Sequence, residues 1–335
     1  MIRGNRYTTN GGKVTKLDLL RALWLAAAFA LAPGGTAQAQ EYPGRPVKIV
    51  VPFAPGSATD ALARLLGEKL SAKWGRPVLV ENRAGAGGNL GAESVFRSPP
   101  DGLTLLFMPG PFVQRTLYPQ LGYDPEKLVP LSAAAKGYSV LVVNPKVAAQ
   151  TLPDLIAYAR ANPDKLNYAS QGIASVAHLT GEMFKGMANA RIVHVAYKGN
   201  APAITDLVGG QIDMMFLNLG SALPYIRSGK LRALAIGSEK RNPLLPDVPT
   251  VAESLPGFVS MVWFAMFAPP GTPTAISASI SAATHDALRT PEIAAWLATN
   301  NLEPVGGNSA ETALLMRQDN ERWVKVITAT SIKPE

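Results

Sequence analysis

Four short stretches combine glycine with small hydroxyl or amide side chains at the ends of apolar runs. They are 53–60 (FAPGSATD), 84–91 (AGAGGNLG), 170–175 (SQGIAS) and 197–200 (YKGN). Glycine lets a ligand reach backbone N–H groups with no Cβ in the way. A turn that opens a helix adds the positive end of the helix dipole. Together these suit an anionic group, a carboxylate or a phosphate. One glycine-rich turn after a strand has an ordinary structural explanation. Four of them, at the same end of the expected sheets, point to a site.

Other chemistries lack their residues. The chain has no cysteine, which removes thiol catalysis, disulfides and thiolate metal sites. Gly85-Ala86-Gly87-Gly88-Asn89-Leu90 fails the dinucleotide pattern, because Leu90 stands where a small residue must pack. No phosphate-binding P-loop and no G-x-S-x-G elbow is present. The three histidines, His178, His194 and His285, match no zinc motif. No metal and no cofactor is therefore expected. His194 falls inside an expected strand and reads as core. His178 follows the third turn by one helical turn and has two readings, one facing the turn and one packed within the helix. Asp60 sits in the first turn of an expected helix, where an acid caps free N–H groups. Cations near the turns are few: Arg83, Arg115 and Lys198.

The elements that position the turns follow from the apolar pattern. Val47–Phe53, Val78–Glu81 and Leu103–Met108 read as buried parallel strands, each feeding a turn, and the first two turns feed helices. A long apolar stretch, 128–144, ends in a strand-like run at 139–143. A second α/β unit follows, with strands at 166–170, 191–197, 213–217 and 231–236. An aromatic strand at 262–268 and three helices close the chain. The pattern predicts an α/β fold of two lobes, each a mostly parallel sheet flanked by helices. The lobes are expected at 41–140 with 235–335, and at 141–234, joined by two hinge strands near 140 and 235. A cleft between lobes is a favoured ligand site.

With 335 residues, 47% of them hydrophobic, the chain can bury a substantial core. Its net charge is +8. Arg3, Arg6, Lys13, Lys16 and Arg21 against Asp18 place +4 of that in the first segment. The rest is spread without a basic run, which argues against nucleic-acid binding. Residues 22–32 form a short apolar run, followed by Ala37-Gln38-Ala39. This is the pattern of a secretory signal peptide over 1–39, cleaved after Ala39, and the run is well short of a membrane span. The mature protein is expected to be exported to the periplasm.

The ordered motifs resemble the tripartite tricarboxylate transporter substrate-binding proteins, also called Bug proteins. The likeness runs over about residues 42–328. It includes Val51-Pro52-Phe53-Ala54-Pro55-Gly56 with Asp60, Glu81-Asn82-Arg83 with the 85–91 glycines, and Tyr168-Ala169-Ser170 with His178 and Glu182. Tyr197-Lys198-Gly199 with Asp206, Gly209-Gly210 and Asp213 follows, then Trp263 and Pro269–Pro273. The resemblance implies a periplasmic binding protein of the type II-like two-lobed fold. It implies capture of a small organic acid for a membrane transporter or a sensor, with no catalysis and no cofactor. Carried to this chain, its ligand set is Phe53, Ala54, Gly56, Ser57, Asn89, Ser170, Ser175, Tyr197 and Lys198. The sequence departs from the family at Ser57 and Ala174, where glycines are usual, at Ala196 in place of proline, and at Ala265 in place of glycine.

The leading expectation is a monomeric solute-binding protein for a carboxylate. The alternative is an exported hydrolase acting on a small organic acid or ester, with a serine and His178 as its working pair. A DNA-binding regulator of the same fold is disfavoured by the leader.

Overall fold

A computed structural model describes residues 42–110, 114–118, 120–173 and 175–330. The expected signal peptide lies outside the described residues, as do Ala174 and the Arg115 side chain.

The first lobe begins with β1 (Val47–Val51), α1 (Ala58–Trp74), β2 (Val78–Asn82), α2 (Asn89–Phe96) and β3 (Thr104–Pro109). In α1, Leu62, Leu66 and Leu70 recur every fourth residue and bury one stripe against the sheet. Gly75 stops the helix in the left-handed conformation that glycine adopts without strain. A short helix, α3 (Gln114–Leu117), leads to β4 (Val129–Val143), the longest strand at 15 residues.

The second lobe contains α4 (Leu152–Ala161), β5 (Asn167–Ser170), α5 (Val176–Ala188), β6 (Val193–Ala196), α6 (Asn200–Gly209), β7 (Met214–Asn218), α7 (Leu219–Arg227) and β8 (Arg232–Ile236). The chain then returns through β9 (Met261–Ala268) to α8 (Thr274–Leu288), α9 (Pro291–Thr299), β10 (Glu303–Pro304) and α10 (Ser309–Thr330).

The sheet order is β2-β1-β3-β9-β4-β7-β5-β6, with β8 and β10 also paired to β4. β1 pairs in parallel with β2 and β3, and β5 with β6 and β7. The pairings of β9 and β4 are antiparallel. Parallel pairs separated by helices place the βα turns of each lobe on one edge of its sheet.

β4 belongs to both lobes. Residues 129–138 pair with β9, and residues 139–143 pair with β7 and β8. Only its last five residues read as strand in the sequence. The first ten include Pro130, Gly137 and several alanines, which carry little strand preference. Pairing with β9 overrides that preference, and the register shifts between Pro130 and Ser132 accommodate the missing N–H. At the crossing, Ser139 O accepts from Gly237 N (2.7 Å), Ser260 N donates to Gly237 O (2.8 Å), and Ser139 N donates to Ser260 O (3.2 Å).

Each lobe has its own apolar core. Val47, Ile49, Leu62, Leu105, Met266, Leu297 and Leu302 belong to one. Leu141, Tyr168, Phe184, Phe216, Val251 and Phe258 belong to another, so the stretch after β8 still packs on the second lobe. The lobes also touch behind the crossing. Gly220 of α7 sits so close to Asn300 that an added Cβ would lie 2.2 Å from its carbonyl oxygen.

α10 joins both cores. Near its start, Thr312 Oγ1 accepts from Ala133 N (2.8 Å), and Ser309 Oγ donates to Pro130 O (2.6 Å). Near its end, Trp323 and Ile327 are buried in the second-lobe cluster with Phe184. Its 22 residues span about 33 Å, enough to reach across.

Candidate functional site

Each of the four turns ends at a helix N-terminus. The turn after β1 opens α1, the turn after β2 opens α2, the turn after β5 opens α5, and the turn after β6 opens α6. The first N–H groups of a helix have no partner inside it. Two such ends stand on adjacent parallel strands in each lobe, so each lobe offers a paired, positively polarised edge.

The first-lobe turns are stitched together. Asn82 Nδ2 donates to Phe53 O (3.0 Å) and to Asp60 Oδ1 (2.9 Å). Gly56 N donates to Asp60 Oδ2 (3.0 Å), and Arg64 Nε donates to the same oxygen (3.1 Å). Asp60 is 3% exposed. Burial acts to raise its carboxyl, but the hydrogen bonds from Arg64, Gly56 and Asn82 outweigh it and hold the group below the usual carboxylate range. The carboxylate therefore stays ionised inside a neutralising cage. The cap of α1 is Ser57, whose Oγ accepts from Asp60 N (3.1 Å). Capping and turn-tying are thus divided between Ser57 and Asp60, where the sequence suggested a cap by Asp60 alone.

Ala54 and Gly56 are exposed at this turn, and Phe53 is half-buried. Gly56 has φ +83°, and a Cβ there would meet nothing within 4 Å, so the turn is open to a ligand. Gly88, at φ +95°, lies over Phe53 and Pro52. Asn89 is buried and spends its amide internally. Its Nδ2 donates to Ala86 O (2.8 Å), and its Oδ1 accepts from Tyr123 OH (3.0 Å). It shapes the turn from inside. Arg83 is paired with Glu81.

The second-lobe turns are joined as firmly. Tyr197 N donates to Ser170 O (3.0 Å). Ser170 Oγ donates to Gly172 O (3.0 Å), accepts from Gly172 N (3.2 Å) and meets His194 Nε2 at 2.8 Å. Ser175 Oγ donates to Gly172 O (2.6 Å) and caps α5 by accepting from His178 N (3.3 Å). Tyr197 donates its phenol to Asp206 (2.7 Å); burial, then that bond and charge, push it up to about 12. Lys198 is exposed on the fourth turn. Phe53, Ala54, Gly56, Ser57 and Asn89 are thus gathered in one lobe, and Ser170, Ser175, Tyr197 and Lys198 in the other.

Behind the third turn lies a stack that the sequence did not disclose. His178 and His194 overlap with ring centroids 4.1 Å apart, and His194 overlaps Tyr168 at 4.8 Å. Tyr168 OH donates to Glu182 (2.6 Å), which also holds Lys185 at 2.8 Å. Burial, then the neighbouring His178 charge, lowers His194 to about 4, and burial lowers His178. Both imidazoles are therefore neutral at pH 7. His178 is packed here, and the hydroxyl meeting an imidazole belongs to Ser170, which is fully buried. Helical and strand spacing places each residue on an element, but not three rings in one column. Tyr118, in the loop before β4, also touches the site, and no motif marked it. A Cβ on Gly87 would lie 3.0 Å from its hydroxyl.

Two α/β lobes, each with paired helix N-termini at the ends of its parallel strands, are the arrangement of a periplasmic binding protein. The chain belongs to the tripartite tricarboxylate transporter receptor family, whose model matches residues 62–332. Protein BugT of Bordetella pertussis is 37% identical over 325 residues, covering 96% of this chain and 99% of BugT. Among solved structures, Rpa4515 of R. palustris with adipate is 34% identical (TM-score 0.80), covering 88% of this chain and 100% of that one. MatC of Rhodopseudomonas palustris with bound malate is 33% identical (TM-score 0.77), covering 85% and 100%. The family is one of receptors, so this chain is a binding protein and not an enzyme, and the hydrolase alternative has no support.

Proposed function

We propose that this protein captures a small organic acid in the periplasm and hands it to a membrane transporter of the tripartite type. The observation that carries the reading is the set of four helix N-termini, two on each lobe, at turns where Gly56 and Gly172 carry no Cβ to block a ligand, while their own N–H groups go to Asp60 and Ser170. A carboxylate held between such ends gains from both lobes only when they close, which couples binding to closure. The adipate and malate bound by two relatives support a ligand of this class.

Phe53, Ala54, Gly56 and Ser57 form the first jaw, with Asn89 holding its second turn in shape. Ser170, Ser175, Tyr197 and Lys198 form the other. The lobes meet where β4 crosses at 138–139 and where the chain re-enters β9 at 260–261. The mature protein starts after Ala39 and works as a monomer. A sensor in place of a transporter is the other recipient consistent with a closed, loaded lobe pair.

A thermal-shift screen tests the reading. Mono-, di- and tricarboxylates, aromatic acids and amino acids are added at millimolar concentration to the mature protein. At least one carboxylate is expected to raise the Tm through mass action. A panel that shifts nothing would overturn it.

A further inference from the structure

Tyr118 stands outside every motif, yet it touches both halves of the molecule. Its segment, Gln114–Leu117 and the residue after it, leaves β3 in the first lobe. Leu117 is buried in the second-lobe core cluster, and the Tyr118 ring packs against the same cluster. Its hydroxyl points the other way, onto Gly87 of the second turn. Gly87 is exposed and has φ +63°, so the phenol lies against bare backbone at the entrance to α2.

The hydroxyl is also unspent. Tyr42, Tyr123, Tyr168 and Tyr197 donate to Gly102 O, Asn89, Glu182 and Asp206. Among the described residues the Tyr118 hydroxyl has no hydrogen-bond partner, although the ring is half-buried. The oxygen is not one of the buried side-chain atoms without a partner, so water can serve it in the unliganded protein and a ligand oxygen can take that water's place.

Resting on the solute-binding reading, we propose that Tyr118 is a ligand-contacting residue whose hydroxyl donates to an oxygen of the bound carboxylate at the seam between the lobes. Burial raises its pKa, so the phenol keeps its proton and remains a donor. A carboxylate oxygen supplies an acceptor that the described residues do not. A donor placed here selects acids that present a carboxylate at the Gly87 turn over neutral analogues of the same shape. The ring, meanwhile, reports closure to the second lobe through its packing.

Tyr118→Phe removes the oxygen and keeps the ring. Wild type and variant are compared by calorimetry with adipate, malate and whichever acid in the panel stabilises the wild type most. The titrations run well below both Tm values, so a loss of fold cannot pass for a loss of affinity. The expected result is binding weakened roughly tenfold or more, as for a hydrogen bond to a charged group, with the unliganded Tm nearly unchanged. Equal affinity in the two proteins overturns the Tyr118 proposal and leaves the solute-binding reading standing. A wild type that binds none of the acids overturns both.

Discussion

Trp263 Nε1 donates to Asp319 Oδ2 across 2.7 Å, and both residues are almost wholly buried. The bond ties β9 to the middle of α10. Burial lifts the Asp319 carboxyl to about 6, against the opposing pull of Trp263 and of Arg322 at 3.7 Å. An unfolded aspartate ionises at about 3.9. Between these values the folded chain holds a proton that the unfolded chain releases, so this group's contribution to stability falls as pH rises from about 4 to about 6.

Asp319→Asn cannot ionise and is expected to lack that fall. Denaturant unfolding at a series of pH values should show the variant gaining on the wild type by about 2 kcal/mol across the window, then running parallel above it. A difference that stays constant with pH would remove the assignment.

His194 has the opposite sign. Its folded value of about 4 lies below the ordinary histidine value of about 6.5, so here the unfolded chain binds the extra proton. Its contribution rises with pH through that interval and is lost on acidification. His194→Gln is expected to flatten the rise while keeping a polar partner for Ser170. An unaltered pH profile in the variant would show that the stack does not titrate as drawn.

Ser57 is both a helix cap and a side chain at the open turn. Ser57→Ala removes the acceptor for Asp60 N and should cost about 1 kcal/mol in unfolding experiments. Ser57→Gly should cost only a few tenths of that, because glycine caps tolerably. Its ligand preference in the thermal-shift screen is expected to change more than its stability. An unchanged ranking of acids would reduce the residue to its cap.

Gly220 lies against the Asn300 backbone, where a Cβ would stand 2.2 Å from the carbonyl oxygen and 2.5 Å from the carbonyl carbon. Backbone cannot turn aside as a side chain can. Gly220→Ala is expected to cost about 1–3 kcal/mol and to shift the rest position of the lobes. Small-angle scattering of the unliganded variant, compared with wild type, reads the second effect. Identical curves would place the strain within one lobe.

Much of the architecture is legible in the sequence. Apolar runs ending in turns with Pro or Gly marked β1, β2, β3 and β5, the run at 213–217 marked β7, and Leu62, Leu66 and Leu70 marked the buried stripe of α1. These are local signals, and local physics sufficed. β4 was half hidden because Pro130 and Gly137 argue against a strand, and only its partner β9 makes it one. The turns could be found from their glycines, but not how they are used. Asn89 turns inward onto Tyr123, which lies 34 positions away. The Tyr168–His194–His178 column and the place of Tyr118 depend on contacts between elements distant in sequence, which no spacing records.

The long helix α10 has a practical corollary. Trp323 rides on a helix anchored at Ala133 and Pro130 in one lobe, while its indole lies among side chains of the other. A rotation of the first lobe that carries α10 with it would change what surrounds that fluorophore. Trp323 fluorescence would then follow such a rotation without an added dye.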